Sequence, residues 1–257
     1  MELGLKDKVA IVTGSTRGIG LATARAFAQE GMKVIVNGTK PDKVAEIVQE
    51  LQAEGLTVDG RAADVADDEQ MRALIDFTLD RFGGLDVMVN NAGISYAGRI
   101  LDTPNKEWKR VVEVNLYSVY LGGKLAAQVM KERGGGVILN ASSFAAVLPV
   151  VGGSAYGAAK EAVINLTRTM AAEWGPFNIR VNAYLPGVIV TDMTAAARQA
   201  LGEEMLNQLA LHRFGDVEEM AEPLVFLASR AARYITGTTL EVSGGKFVVQ
   251  IPGLAWK

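Results

Sequence analysis

From residue 9 to residue 242 the chain repeats one unit: a short apolar run, then a longer stretch with helical spacing. The apolar runs fall at 9–13, 34–37, 58–63, 87–90, 137–141, 179–184 and 238–242. The helical periods fall at 19–30, 43–54, 69–82, 105–133, 154–174 and, in pieces, 193–228. Most of them stop at glycine, as at Gly31, Gly55, Gly83-Gly84, Gly134-Gly135-Gly136 and Gly175-Pro176. Glycine closes a helix because it reaches left-handed backbone without a steric penalty. Strands alternating with helices of this length imply βαβ crossovers and a parallel sheet. The runs lack period-two alternation, which implies a sheet covered on both faces. The expected class is therefore α/β: one doubly wound parallel sheet of about seven strands, as a single domain over residues 1–257. No linker, repeat or low-complexity tract interrupts the series. In such a sheet ligands bind beyond the carboxyl ends of the strands, so chemistry is sought there.

Composition removes several kinds of chemistry. Cysteine is absent, so thiol nucleophiles, disulfides and thiolate metal sites are excluded. Histidine occurs once, at His212, so a multi-histidine metal site is excluded as well. The formal net charge is −3 and no basic run could track a phosphate backbone, so nucleic acid is not an expected partner. No run of 18 apolar residues offers a membrane span. Residues 1–8 alternate charged and short apolar side chains, unlike a secretory leader, so the expected location is cytoplasmic. With that location, the sequons Asn140-Ala141-Ser142 and Asn165-Leu166-Thr167 are chance matches.

The first run passes straight into Thr13-Gly14-Ser15-Thr16-Arg17-Gly18-Ile19-Gly20. Glycines here let the backbone approach a pyrophosphate, and the next helix offers free N–H groups and its positive dipole end. A glycine pattern alone can be only a turn; its place between a strand and a helix gives it weight. The lysine of a triphosphate-binding loop is missing, which argues against an ATPase or GTPase. An NAD site would put a carboxylate near the end of the second strand to hold the ribose hydroxyls. This chain has Asn37-Gly38-Thr39-Lys40 there, and Arg17 adds a second cation from the loop. Cations suit a 2′-phosphate, so NADP(H) is expected over NAD(H). Asp42, after Pro41, reads as a helix-start residue.

Tyr156 and Lys160 stand four apart, on one face of a helix. A free phenol, with a pKa of about 10, is a poor acid or base at neutral pH. An ammonium about 4 Å away, at an effective dielectric near 20, would favour phenolate by roughly 4 kcal/mol. That brings Tyr156 toward the working range of a general acid/base. The pair is weak evidence alone, because such spacings occur by chance on solvated helices.

Taken with the rest of the chain, the pair resembles the short-chain dehydrogenase/reductase family, of Rossmann-type fold. The likeness runs from Lys8 to Gly245. Its motifs are the Thr13–Gly20 loop, Asp64-Val65, Asn90-Asn91-Ala92-Gly93, Asn115, Ser143, Tyr156-x3-Lys160 and Pro186-Gly187. The resemblance implies that Tyr156 handles the proton at the substrate oxygen and that Ser143 hydrogen-bonds that oxygen. It implies that Lys160 tunes Tyr156 and binds the nicotinamide ribose, while Asn115 holds a water leading to solvent. It puts Gly14, Thr16, Arg17, Gly18, Ile19, Gly20, Thr39 and Lys40 against the cofactor phosphates and adenine ribose. Asp64 and Val65 are implied at the adenine, and Asn91, Ala92 and Gly93 along the cofactor. Pro186, Gly187, Ile189 and Thr191 are implied at the nicotinamide. No metal is implied. Ser142, the acids Asp67-Asp68-Glu69 and Glu203-Glu204, Trp108 and Trp174 read as structural, and His212 as an exposed or capping residue in a helical segment.

Thr191-Asp192-Met193-Thr194, Phe226-Leu227-Ala228-Ser229 and Tyr234-Ile235-Thr236-Gly237 are similar to bacterial 3-oxoacyl-thioester reductases. The cations such enzymes use to dock a carrier protein are only partly matched. Arg133 is present, whereas residues 173–178 hold none. A stand-alone reductase of ketones, hydroxysteroids or sugar-derived carbonyls fits equally. A non-catalytic NADP-binding regulator would not need Ser143, Tyr156 and Lys160 together, and an epimerase or lyase of this type usually carries a further substrate domain. Residues 191–215 are expected to cover a small carbonyl or alcohol substrate. The apolar, partly extended tail 247–257 is expected to pack in a homotetramer interface.

Overall fold

The computed structural model describes residues 3–256. Met1, Glu2 and the tail residue Lys257 lie outside the described residues. Seven strands form one sheet: β1 (Val9–Val12), β2 (Lys33–Gly38), β3 (Val58–Ala62), β4 (Val87–Asn90), β5 (Gly136–Ala141), β6 (Ile179–Pro186) and β7 (Thr239–Val242). They lie in the order β3-β2-β1-β4-β5-β6-β7, and every pairing is parallel. The order reverses between β1 and β4, so a crevice opens beyond their carboxyl ends.

The central strands are largely apolar because both faces are buried, whereas the edge strands carry Asp59 and Arg61 (β3) and Glu241 (β7). Ala10 and Val12 of β1 face a core with Phe27, Leu51 and Leu224, while Ile11 between them faces a second core with Leu74, Leu125 and Met170. This is the pleat's period of two with both sides apolar. Each fully buried side chain of this size contributes about 1.5–3 kcal/mol. The first core is closed by α1 (Gly18–Gln29), α2 (Pro41–Ala53) and α8 (Glu218–Ala228). The second is closed by α3 (Asp68–Phe82), α5 (Ser118–Lys131) and α6 (Ser154–Trp174). Asp67 caps α3, its carboxylate accepting from Gln70 N at 2.9 Å.

Two expectations are corrected, for the stretch 105–133 and for His212, and two others are made finer. The stretch 105–133 is not one regular helix. It runs as α4 (Asn105–Val112), a π-helical turn at Glu113–Tyr117, then α5. A π turn is a single-turn insertion inside otherwise helical sequence, a local change that the helical reading of 105–133 did not separate. The stretch 193–228 is two helices, α7 (Asp192–Leu206) and α8, separated by a loop whose Leu211 N donates to Gly244 O at 3.0 Å. His212 is not helical: it adopts left-handed backbone, φ 49°, in that loop and stacks on Trp256. The tail, expected to be partly extended, ends in a short 3-10 turn, Pro252–Trp256. No helix among the described residues is long and apolar enough to cross a membrane.

Candidate active site

The crevice at the switch point is a cleft of about 420 Å³. Its floor is built by Thr13, whose hydroxyl donates to Val89 O at 3.1 Å and accepts from Asn91 N and Ala92 N. That ties the loop after β1 to the loop after β4. Gly14 has φ +62°, and a Cβ there would meet Ala92 Cα at 2.8 Å, so only glycine fits the contact. The first turn of α1 has no side-chain cap and no acid. Its N–H groups therefore remain available, and they open on the same cleft, a fit for a pyrophosphate.

The cleft wall brings together Gly14, Thr16, Arg17, Gly18, Ile19, Gly20, Thr39, Asp64, Val65, Asn91, Ala92, Gly93, Tyr156, Lys160, Pro186 and Thr191. Five other assigned cofactor or proton-handling positions, Lys40, Gly187, Ile189, Asn115 and Ser143, are not among the residues that line it. Lys40 starts α2 and points to solvent. Gly187 packs against Ser243, and Ile189 is drawn into the core beside α8. Asn115 lies behind Gly93, where a Cβ would come within 2.8 Å of Asn115 Oδ1 and 3.6 Å of Lys160 Nζ. Ser143 stands beside the Tyr156 phenol.

Asn37, where an NAD site would have a carboxylate, is a structural residue. Its Nδ2 donates to Arg61 O and Ala63 O, and its Oδ1 accepts from Gly14 N at 3.3 Å. Asn91 likewise spends its side chain on the frame, accepting from Tyr184 OH at 3.0 Å and donating to Thr13 O at 2.9 Å. Arg17 meets Asp192 at 3.2 Å across the mouth of the cleft, both highly exposed.

Lys160 is 2% exposed, and its Nζ donates to Ala141 O at 2.8 Å, 5.6 Å from the centre of the Tyr156 ring. Burial lowers its pKa to about 7. Burial also raises the Tyr156 phenol, and the Ser143 hydroxyl pulls it back down. The simple expectation that Lys160 lowers Tyr156 is thus altered. The ammonium is itself desolvated, which disfavours its charged form and so weakens the field it can exert on the phenol. Ser142 is fixed by donating to Lys160 O at 2.8 Å, which holds α6 to β5. Asn115 lies in the π turn, its Nδ2 donating to Ile94 O and Val111 O. Its Oδ1 is buried without a partner, close to Lys160.

The sequence reading missed Arg110, which lines the cleft and pairs with the Asp64 carboxylate. It also missed Tyr184, whose hydroxyl orients Asn91. A polar side chain inside the apolar run of β6 was the available signal for Tyr184; a surface arginine on a charged helix gave none for Arg110. Among the described residues no three His, Asp or Glu side chains cluster as a metal site requires.

A phosphate-binding loop at the switch point, facing a buried lysine and a phenol, defines a dinucleotide-dependent oxidoreductase. Comparison with known proteins narrows this class. Residues 14–246 match a family model described as enoyl-(acyl carrier protein) reductase. The chain is 39% identical to a 3alpha-hydroxysteroid dehydrogenase of Mediterraneibacter gnavus over 95% of its length and 98% of that protein. It is 40% identical to the 3-oxoacyl-(acyl-carrier-protein) reductase FabG of Staphylococcus aureus, over 94% of its own length and 98% of that protein. Among solved structures, a gluconate 5-dehydrogenase from Burkholderia cenocepacia, in complex with NADP and tartrate, aligns with TM-score 0.91 and 34% identity, covering 95% of this chain and 96% of that one. The chain belongs to the short-chain dehydrogenase/reductase family and is an oxidoreductase of that family.

Proposed function

We propose that the protein is an NADP(H)-dependent carbonyl reductase and alcohol dehydrogenase, with Ser143, Tyr156, Lys160 and Asn115 as its proton-handling set. The observation that carries this reading is the buried Lys160 beside the Tyr156 ring, in the same cleft as an uncapped glycine-loop helix. The bound dinucleotide supplies hydride to or from the substrate carbon. In reduction, Tyr156 gives its phenolic proton to the substrate oxygen. Ser143 donates a hydrogen bond to the same oxygen as charge develops there. Lys160, titrating near neutrality, returns a proton toward the phenolate. The unpartnered Asn115 Oδ1 holds a water that carries that proton onward. With the dinucleotide bound, the loop Gly14 to Gly20 would hold its phosphates, Asp64 and Val65 would flank the adenine, and Asn91, Ala92 and Gly93 would lie along the cofactor. Pro186, Gly187, Ile189 and Thr191 form the nicotinamide end, Gly187 and Ile189 through their backbone.

The preference for NADP(H) over NAD(H) rests on the absence of a carboxylate after β2 and on the two cations, Arg17 and Lys40, at that rim. Arg17→Ala with Lys40→Ala lowers the kcat/KM ratio for NADPH over NADH by tenfold or more, about 1.4 kcal/mol. An unchanged ratio removes these residues from cofactor choice. The substrate is a small carbonyl or alcohol compound, either a 3-oxoacyl thioester or a free ketone, hydroxysteroid or sugar-derived carbonyl. NADPH oxidation against one member of each class separates them, and no turnover of any overturns the reading.

The enzyme acts as a homotetramer in the cytoplasm, with its tail in an interface. Val248, Val249, Ile251, Leu254 and Trp256 are each more than half exposed in the single chain, an unfavourable apolar surface. Sedimentation velocity of the intact chain gives a tetramer, and removal of residues 247–257 gives smaller species. A monomer in both cases overturns the assembly.

A further inference from the structure

Lys246 follows the Gly244-Gly245 turn after β7. Its ammonium is half-buried beside two neighbouring aromatic rings, 5.3 Å from the centre of Phe144 and 5.6 Å from that of Phe247. Phe144 is the residue after Ser143, so this cation stands next to the turn that carries the proposed catalytic hydroxyl. The backbone of Lys246 is fixed by donation to Ser243 Oγ at 3.1 Å and by a bridge to Leu209. Leu209 lies within residues 191–215, the segment expected to cover the substrate. Lys246 is therefore held at the junction of the Ser143 turn, the cover and the tail.

Its charge is unanswered. Among the described residues its Nζ makes no ion pair with a carboxylate and no hydrogen bond to a protein acceptor. An ammonium has three donors, and a partly desolvated cation without a partner is unfavourable. Ring faces attract the cation but accept no directed hydrogen bonds of comparable strength, so the rings orient the group without satisfying it. Burial lowers its pKa, which is the cost that an anion would relieve.

We propose that Lys246 is the anion-recognising residue of the substrate site, binding a carboxylate at the end of the substrate remote from the reacting carbonyl. The inference rests on the carbonyl-reductase reading and sharpens it to oxo- and hydroxy-carboxylates. A solvated surface lysine would be indifferent to the charge of the substrate, and this difference is the test. Lys246→Met keeps the apolar stem against both rings and removes only the charge.

Binding of 4-oxopentanoate and 5-oxohexanoate, and of their methyl esters, is measured by calorimetry on wild type and Lys246→Met saturated with NADP+. The expected result is that wild type binds at least one acid tenfold or more tighter than its ester, and that Lys246→Met loses this preference with ester affinity unchanged. The matching kinetic result is a raised KM for the acid with kcat nearly constant. Equal binding of acid and ester by wild type, failure to bind either acid, or an unchanged preference in Lys246→Met overturns the proposal. Reduction of uncharged ketones that is lost in Tyr156→Phe keeps the carbonyl-reductase reading standing whichever way the carboxylates behave.

Discussion

Two helices border the cleft on opposite terms. α6 buries Ala155, Ala159, Lys160, Val163, Thr167, Met170 and Ala171 and reaches both the sheet and the second core. α7 buries none of its residues and bends at Leu201, where φ is −130°. α6 is also bolted to the strands through polar groups: Asn90 donates to Asn140 at 2.8 Å, and Asn140 to Thr167 at 3.0 Å. α7 is held at its start by the Thr191–Thr194 capping box and by the exposed Arg17–Asp192 pair. The difference separates two tasks. The proposed proton-handling pair, Tyr156 and Lys160, stands on the packed helix, which suits a task that needs fixed geometry. A cover that must admit substrate needs few buried contacts, and α7 has that character.

The largest contrast between the helices is expected in turnover. Tyr156→Phe on α6 lowers kcat by about 10²–10⁴-fold, with NADPH affinity by fluorescence titration unchanged. Met193→Ala on α7, which also lines the cleft, moves KM more than kcat. Retained turnover in Tyr156→Phe would remove the phenol from the mechanism.

Next in size is the pH behaviour of the buried lysine. Its pKa is near 7 in the folded chain against 10.5 when solvated. The unfolded chain therefore binds more protons between those values, and burial of Lys160 is a destabilising factor that is full below pH 7 and fades as pH rises to 10.5. Lys160→Met removes it, so the variant's stability relative to wild type, from denaturant melts, is most favourable at pH 6 and declines toward pH 10. A difference independent of pH would mean that Lys160 is not desolvated. The smallest contrast is in packing. Val163→Ala on α6 costs about 2 kcal/mol, whereas Ala196→Gly on α7 costs at most about 1 kcal/mol. Equal losses, or equal hydrogen-exchange protection of the two helices, would erase the distinction.

Much of this was legible before folding. The apolar runs marked all seven strands, and the glycine stops marked most helix ends, because both follow from local backbone and burial preferences. The cofactor loop was legible because glycine spacing, strand and helix adjoin along the chain. What was not legible depended on partners distant in sequence. The π turn at Asn115 lies inside a stretch read as one helix, and the Asn115 side chain bonds Ile94 O, 21 residues away. Asn37 is absorbed by Gly14 and β3, Arg110 finds Asp64 across the cleft, and His212 leaves the helical pattern to stack on Trp256.

The chain by itself determined the sheet, its crevice and the residue types able to move a proton at a carbonyl oxygen, since these depend on periodicity and on side-chain chemistry. Tertiary structure alone decided the electrostatics. It is burial by the sheet that brings Lys160 to a pKa near 7, and the packing of Phe144 and Phe247 that leaves Lys246 a cation without a counter-ion. Desolvation is a property of the surroundings, and a sequence names its charges without saying which of them water will still reach.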